Sequence, residues 1–332
     1  MPGLTGHLYN SNLTNNHTMD RRVFLKSASL LGAGAMMSVS CKGGGAGNKA
    51  ASRKHKRFGL QVYGVCVELA EDIPGGFTKL KEAGYDTLEL AGYQPDGSIS
   101  LYHDPIPLAD YRKMALDAGL EITSSHARAP QRIFTRENMG EVVDFWKKVA
   151  EHHAGLGVKY LVQAAIPTVR SVEEAQLVAE VFNEAGKAVR DAGMLFTFHN
   201  EPNAAMRVVP GGTEPMFSIG RYPRDARQIY DILLEETDPS LVYFELDGFA
   251  AILGGNDPLL YLQKYPERMI LMHVKDREAL GASGMINHEN IFRQFHANGM
   301  TDFFVEDENV RSGRQFERVA ESARYLQASD FV

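Results

Sequence analysis

The sequence predicts a single-domain (β/α)8 TIM barrel of the α/β class over residues 57–328. Three observations carry that expectation. Apolar strand-like runs alternate with helical patterns eight times after Arg57, and such alternation implies βαβ units and a parallel sheet. Eight units in this length suit a closed barrel, typically about 250 residues, better than an open doubly wound sheet. The later runs also share an ending: carboxylates and imidazoles stand at their C-terminal tips, where a parallel barrel keeps its active site.

Taken in order, FGLQVYGV (58–65) reads as the first strand, and FTKLKEAGY supplies a helix that Gly84 stops. DTLELAGY (86–93) is the second strand, followed by a helix over 107–118. LEITSSHA (120–127) is the third and ends near His126. A longer helix carries Val142, Phe145, Trp146 and Val149, and VKYLVQAAIP (158–167) is the fourth strand. Residues 171–192 form a helix closed by Gly193, and MLFTFHNE (194–201) brings His199, Asn200 and Glu201 to the fifth strand tip. An irregular Pro- and Gly-rich insertion (202–223) precedes ARQIYDILLEET. LVYFELDGFAAI (241–252) is the sixth strand with an acidic tip, and Asn256 or Asp257 caps its return helix beside Pro258. ILMHVKD (270–276) is the seventh, FFVEDEN (303–309) the eighth, and a helix over 313–328 ends the domain.

Composition narrows the class. With 44% hydrophobic and 23% charged residues the chain reads as globular, and a net charge of −7 lacks the basic footprint of a nucleic-acid binder. No GxGxxG follows the first strand and no GxxxxGK[ST] occurs, which removes the usual dinucleotide and P-loop readings. Of the two cysteines, Cys66 is expected to be a buried, unpaired thiol.

Residues 1–18 carry no pattern and are read as an extension ahead of the true start at Met19. Residues 19–41 read as an export signal: Asp20-Arg21-Arg22-Val23-Phe24-Leu25-Lys26 leads into about 13 apolar or small residues. That run is too short for a membrane-spanning helix, which needs roughly 20. The RRxFLK core is similar to a twin-arginine signal, whose cargo crosses already folded. Cys41 stands where a lipobox cysteine would, although Ser38 departs from the usual Leu; plain cleavage and lipid anchoring both stay open, and the latter would be the only membrane attachment. Residues 42–56 are a Gly-rich linker, and the protein is expected in the periplasm or anchored at the cell envelope.

The strand tips gather Asp247, His273 and Glu306, with Glu201 or His199, each about one βα unit from the next. Oxygen and nitrogen ligands without thiolate suit one divalent ion, Mn, Mg, Co or Zn. Glu89 and Glu245 each precede an apolar residue and are read as pointing into the barrel wall, outside the site.

With those residues in place, the body of the chain resembles the sugar phosphate isomerase/epimerase family, the xylose-isomerase-like barrels. The resemblance covers residues 57–328 and is most specific at FELD and HVKD; FHNE matches the family's HNH-type fifth strand without its usual extension. It implies metal ligands on strands five to eight, here Glu201, Asp247, His273 and Glu306, with Glu201 preferred over His199 because a carboxylate balances the metal's charge. His199 then contacts substrate or supports the ligands. The implied reaction on a small carbohydrate is proton abstraction next to a carbonyl through a metal-stabilised enediolate. Glu306 or Glu201 would move the proton, His126 would bind or relay to a hydroxyl, and Lys275 would neutralise the substrate oxygen unless it pairs with Asp276 at the surface. Asn287 replaces an Asp frequent in the family's seventh loop. The leading expectation is therefore a sugar isomerase or epimerase. A lyase or hydratase cleaving a keto-glycoside and a non-catalytic sugar-binding barrel are the alternatives.

Overall fold

The computed structural model describes residues 56–217, 220–308 and 313–332, which fall within a unit spanning Lys54–Val332. The N-terminal extension, the export signal with Cys41 and most of the linker lie outside the described residues.

Eight parallel strands close into a barrel. They are β1 (Gly59–Gln61), β2 (Thr87–Leu90), β3 (Glu121–Ala127), β4 (Tyr160–Gln163), β5 (Leu195–His199), β6 (Val242–Asp247), β7 (Met269–Val274) and β8 (Phe303–Val305). Each pairs with the next in sequence, and β8 closes on β1 through Gly59 opposite Phe304. A helix follows each strand. These are α1 (Ile73–Ala83), α2 (Leu108–Asp117), α3 (Met139–His153), α4 (Val172–Asp191), α5 (Ile229–Glu236), α6 (Pro258–Lys264), α7 (His288–Ala297) and α8 (Gln315–Ala328). The expected single (β/α)8 barrel is the observed fold.

Strand alternation divides the side chains between two environments. Outward positions meet the helices: Phe196 and Phe198 of β5 lie 5.4 Å from Phe182 of α4, and Trp146 of α3 sits edge-on to Phe196 at 4.8 Å. Inward positions fill the barrel in layers. The lower layer is apolar, with Val162, Leu271 and Phe304 in one small cluster. Gly59 makes room for it, because a Cβ there would meet the Phe304 ring at 2.3 Å and Thr87 Oγ1 at 2.6 Å. The layer above is polar, and it holds the site.

Several elements end sooner than the hydrophobic pattern suggests. The sixth strand stops at Asp247, and GFAAIL becomes a helix, Gly248–Leu253, because the Asp247 side chain accepts from Ala250 N at 2.7 Å and caps it. β1 likewise stops at Gln61, whose side chain accepts from Tyr63 N and starts a 3-10 turn, Val62–Val65, that runs into a helix over Cys66–Glu71. The insertion after β5 holds a short 3-10 helix (Pro202–Ala205) and pairs Arg207–Val208 with Arg227–Gln228. Gly84 ends α1 with φ at 108°, as its stop role requires. Asp257, rather than Asn256, caps α6. Cys66 is a buried free thiol, and burial pushes its pKa up.

Candidate active site

A cavity of about 570 Å3 opens over the C-terminal ends of the strands and is lined by Tyr63, Tyr93, His126, Arg128, His199, Glu201, Glu306 and Glu308. Beneath it, parity brings a set of ionisable side chains inward. His199 ends β5, Glu245 and Asp247 share one face of β6 two residues apart, His273 lies on β7, and Glu306 directly follows β8. His199, Asp247, His273 and Glu306 each offer a ligand atom, all within 4.8 Å of one another and all buried.

The ties within this group are specific. His273 Nδ1 lies 3.1 Å from Glu306 Oε2, and His199 Nε2 lies 3.6 Å from Asp247 Oδ2. Lys275 Nζ reaches Glu306 Oε2 at 3.3 Å and Asp247 Oδ2 at 3.6 Å, and it also pairs with Glu308. Burial alone would raise the Asp247 carboxyl, but the Lys275 ammonium and His199 hold it below the usual range. Glu306 is held well below that range against its burial by Lys275 and His273. Asn200 clamps β5 to β6: its Nδ2 donates to Asp247 O at 3.1 Å, and its Oδ1 accepts from Asp247 N at 2.9 Å. This two-point bond sets where Asp247 sits.

A second group joins the first through His273. Glu89, His126, Glu245 and His273 also offer ligand atoms within 4.8 Å of one another. Glu89 Oε2 lies 2.5 Å from His273 Nε2 and 3.0 Å from His126 Nε2, and Glu245 Oε2 lies 2.9 Å from His126 Nε2. Burial would lower the His126 pKa, yet the two carboxylates, Glu89 foremost, raise it to about 10. The same carboxylates, with Glu306, hold His273 well above its ordinary value in spite of burial.

The expected site residues are therefore gathered in one place, with changes of partner. Asp247, His273 and Glu306 converge. The fifth-strand member of the converging group is His199, whereas Glu201 lies past the strand end at the start of a 3-10 helix, half-buried at the cavity wall. The physical reason is that β5 ends at His199, so Asn200 turns aside to clamp Asp247 and Glu201 leaves the barrel interior. Lys275 is buried and faces Asp247 and Glu306; Asp276 instead accepts from the Arg277 and Gly281 amides. Glu89 and Glu245 are not in the barrel wall. Both are fully buried inside the site, and parity could have found them: Glu245 is two residues from Asp247 on the same strand face. Asn287 caps α7 by accepting from Asn290 N at 3.1 Å.

The first group fits a divalent cation. His199 Nε2 and Asp247 Oδ2 are buried and, among the described residues, have no hydrogen-bond partner; unmatched buried polar atoms are costly unless something satisfies them. Two carboxylates and two imidazoles supply oxygen and nitrogen ligands and balance a 2+ charge.

Comparison with known proteins bears on this arrangement. Residues 77–329 match the family described as the xylose isomerase-like TIM barrel. A crystal structure of a sugar phosphate isomerase/epimerase from Parabacteroides distasonis is 40% identical, covering 85% of this chain and 97% of that one, with a TM-score of 0.79. The 3-keto-D-glucoside 4-epimerase from E. coli has the same fold at 15% identity and a TM-score of 0.61, covering 82% of this chain and 100% of that one. Among curated proteins, the inosose dehydratase of Clostridium tetani is 29% identical over 104 residues, which is 31% of this chain and 29% of that protein. The chain thus matches less than a third of the length of that relative.

Proposed function

This chain belongs to the xylose isomerase-like TIM barrel family, and from that premise we propose that it is a divalent-metal-dependent enzyme that moves a proton next to the carbonyl of a sugar or keto-sugar. The observation that carries the reading is the buried convergence of His199, Asp247, His273 and Glu306 beneath the cavity, with two ligand atoms left unmatched. These four would hold the ion, which as a Lewis acid would polarise the substrate carbonyl and lower the cost of removing the neighbouring proton.

The chain's own groups then divide the work. Glu306 both joins the ligand group and lines the cavity, so its carboxylate is placed to take or return the substrate proton. Lys275, held between Asp247 and Glu306, places a fixed positive charge beside the position where negative charge develops on substrate oxygen. Tyr63 and Tyr93 line the same cavity and would bound the substrate. Glu201, at the cavity wall, contacts substrate hydroxyls.

A second reading has its own support. His126 lines the cavity and carries a proton stabilised by Glu89 and Glu245, which is what an elimination needs to protonate a departing hydroxyl or alkoxide. The partial match to inosose dehydratases points the same way. Incubating the purified protein with keto-sugars and keto-glycosides in deuterated water separates the two. Isomerisation or epimerisation incorporates deuterium without losing atoms from the substrate skeleton, whereas elimination releases water or an alcohol. A protein that binds no Mn2+, Mg2+, Co2+ or Zn2+, and whose substrates take up no deuterium, would sink the metal-assisted reading outright.

A further inference from the structure

The structure assigns to Glu89 a role that the ligand group alone does not reveal. We infer that Glu89 is the positioning residue that makes Nδ1 of His273 the metal-facing atom, by holding the proton of that ring on Nε2. The inference rests on the metal reading of the site and concerns how one ligand is presented.

Glu89 faces donors from β1, β3 and β7. Its Oε1 takes a hydrogen bond from Ser124 Oγ at 2.6 Å. Its Oε2 takes one from Gln61 Nε2 at 2.8 Å and faces His273 Nε2 at 2.5 Å and His126 Nε2 at 3.0 Å. Donors from β1, β3 and β7 thus crowd Oε2, while Oε1 takes only Ser124. Glu89 is fully buried, and Gln61 is itself fixed, its Oε1 accepting from Tyr63 N. Facing Glu89 Oε2 at 2.5 Å, His273 Nε2 can only be a donor. The proton that the ring would keep on ligating an ion is the one on Nε2, and Nδ1, 3.1 Å from Glu306 Oε2 in the ligand group, is the atom left for the ion.

Donor direction decides between two roles for the second group. Glu89, His126, Glu245 and His273 have the composition of a cation site, but both imidazoles turn Nε2 to a carboxylate at 3.0 Å or less, as donors rather than as ligands. The group is better described as the buttress of one metal site than as a second site. Carboxylates behind ligating imidazoles fix both tautomer and ring orientation.

The test uses full-length protein labelled with 15N-histidine and loaded with Zn2+, a diamagnetic probe. Long-range 1H–15N correlations, with His273 identified by its loss in His273→Asn, should show a proton on Nε2 and metal at Nδ1. Competition with a chromophoric chelator should show one tight Zn2+ equivalent, weakened about 10- to 100-fold in Glu89→Gln. Metal at Nε2 in the unsubstituted protein overturns the inference whatever becomes of Glu89→Gln. A folded Glu89→Gln with unchanged affinity, or two equivalents that fall to one in Glu89→Gln, also overturns it. No Zn2+ binding by the unsubstituted protein would instead overturn the metal reading on which it stands.

Discussion

His153, on the inner face of α3, is buried and bonded to Val149 O at 2.7 Å and Ser125 Oγ at 2.9 Å. Burial lowers its pKa to about 4 from the ordinary 6.5. The unfolded chain therefore binds a proton that the folded chain refuses between these values, so stability rises with pH across that window and is lost as pH falls from about 6.5 toward 4. The gap corresponds to at most about 3 kcal/mol. Urea midpoints measured from pH 7 to 5 should fall with acidification in the unsubstituted protein and run flatter in His153→Gln. Equal slopes would show that this imidazole does not govern the window. The carboxylates of the site act lower, since their depressed values place their losses below the ordinary carboxylate range. Asp247 joins two duties, because one oxygen caps the helix Gly248–Leu253 while the other is the unmatched atom of the ligand group. Asp247→Ala should abolish tight metal binding and also cost about 1 kcal/mol through the lost cap. Asp247→Ser, which can still cap, should lose the metal with a smaller drop in thermal midpoint. A full complement of metal in Asp247→Ala by elemental analysis would contradict this.

Among the elements, β1 and β8 show how the barrel floor supports the site. Gly59 faces Phe304, and any side chain there collides with that ring and with Thr87. Gly59→Ala should destabilise by about 1–3 kcal/mol through overpacking, and adding Phe304→Leu should recover part of the loss. A Gly59→Ala protein with an unchanged unfolding midpoint would mean the floor is looser than this contact implies. β6 shows the converse, where strand period does the placing. One alternating face delivers Glu245 and Asp247 together, while Phe244 on the other meets Tyr230 of α5 edge-on at 5.4 Å. The helix-stop glycines and the Asp257 cap follow from local chemistry, and their positions are legible in the sequence for that reason.

At the scale of the whole chain, residues 19–41 carry the export proposal. A twin-arginine route would deliver a folded, metal-loaded barrel across the membrane, with Cys41 available as an anchor. Replacing Arg21 and Arg22 with Lys should leave the protein in the cytosol on fractionation. Mass spectrometry of the exported form should then place its new N-terminus at or before the linker, with a lipid on Cys41 if it is anchored. Recovery of the Arg-to-Lys protein in the envelope fraction would refute the route. The barrel itself, its eightfold alternation, its strand order and the strand tips at which Asp247, His273 and Glu306 stand are written in local patterns of hydrophobicity, and sequence alone determines them. Tertiary structure decided the rest. It put His199 rather than Glu201 into the ligand group because β5 ends two residues short of Glu201, brought Glu89 of β2 against His273 of β7 because the barrel closes, and buried Lys275 between two carboxylates. Each of these depends on where a strand stops and on which side chains meet across the closed barrel, which no single stretch of the chain contains.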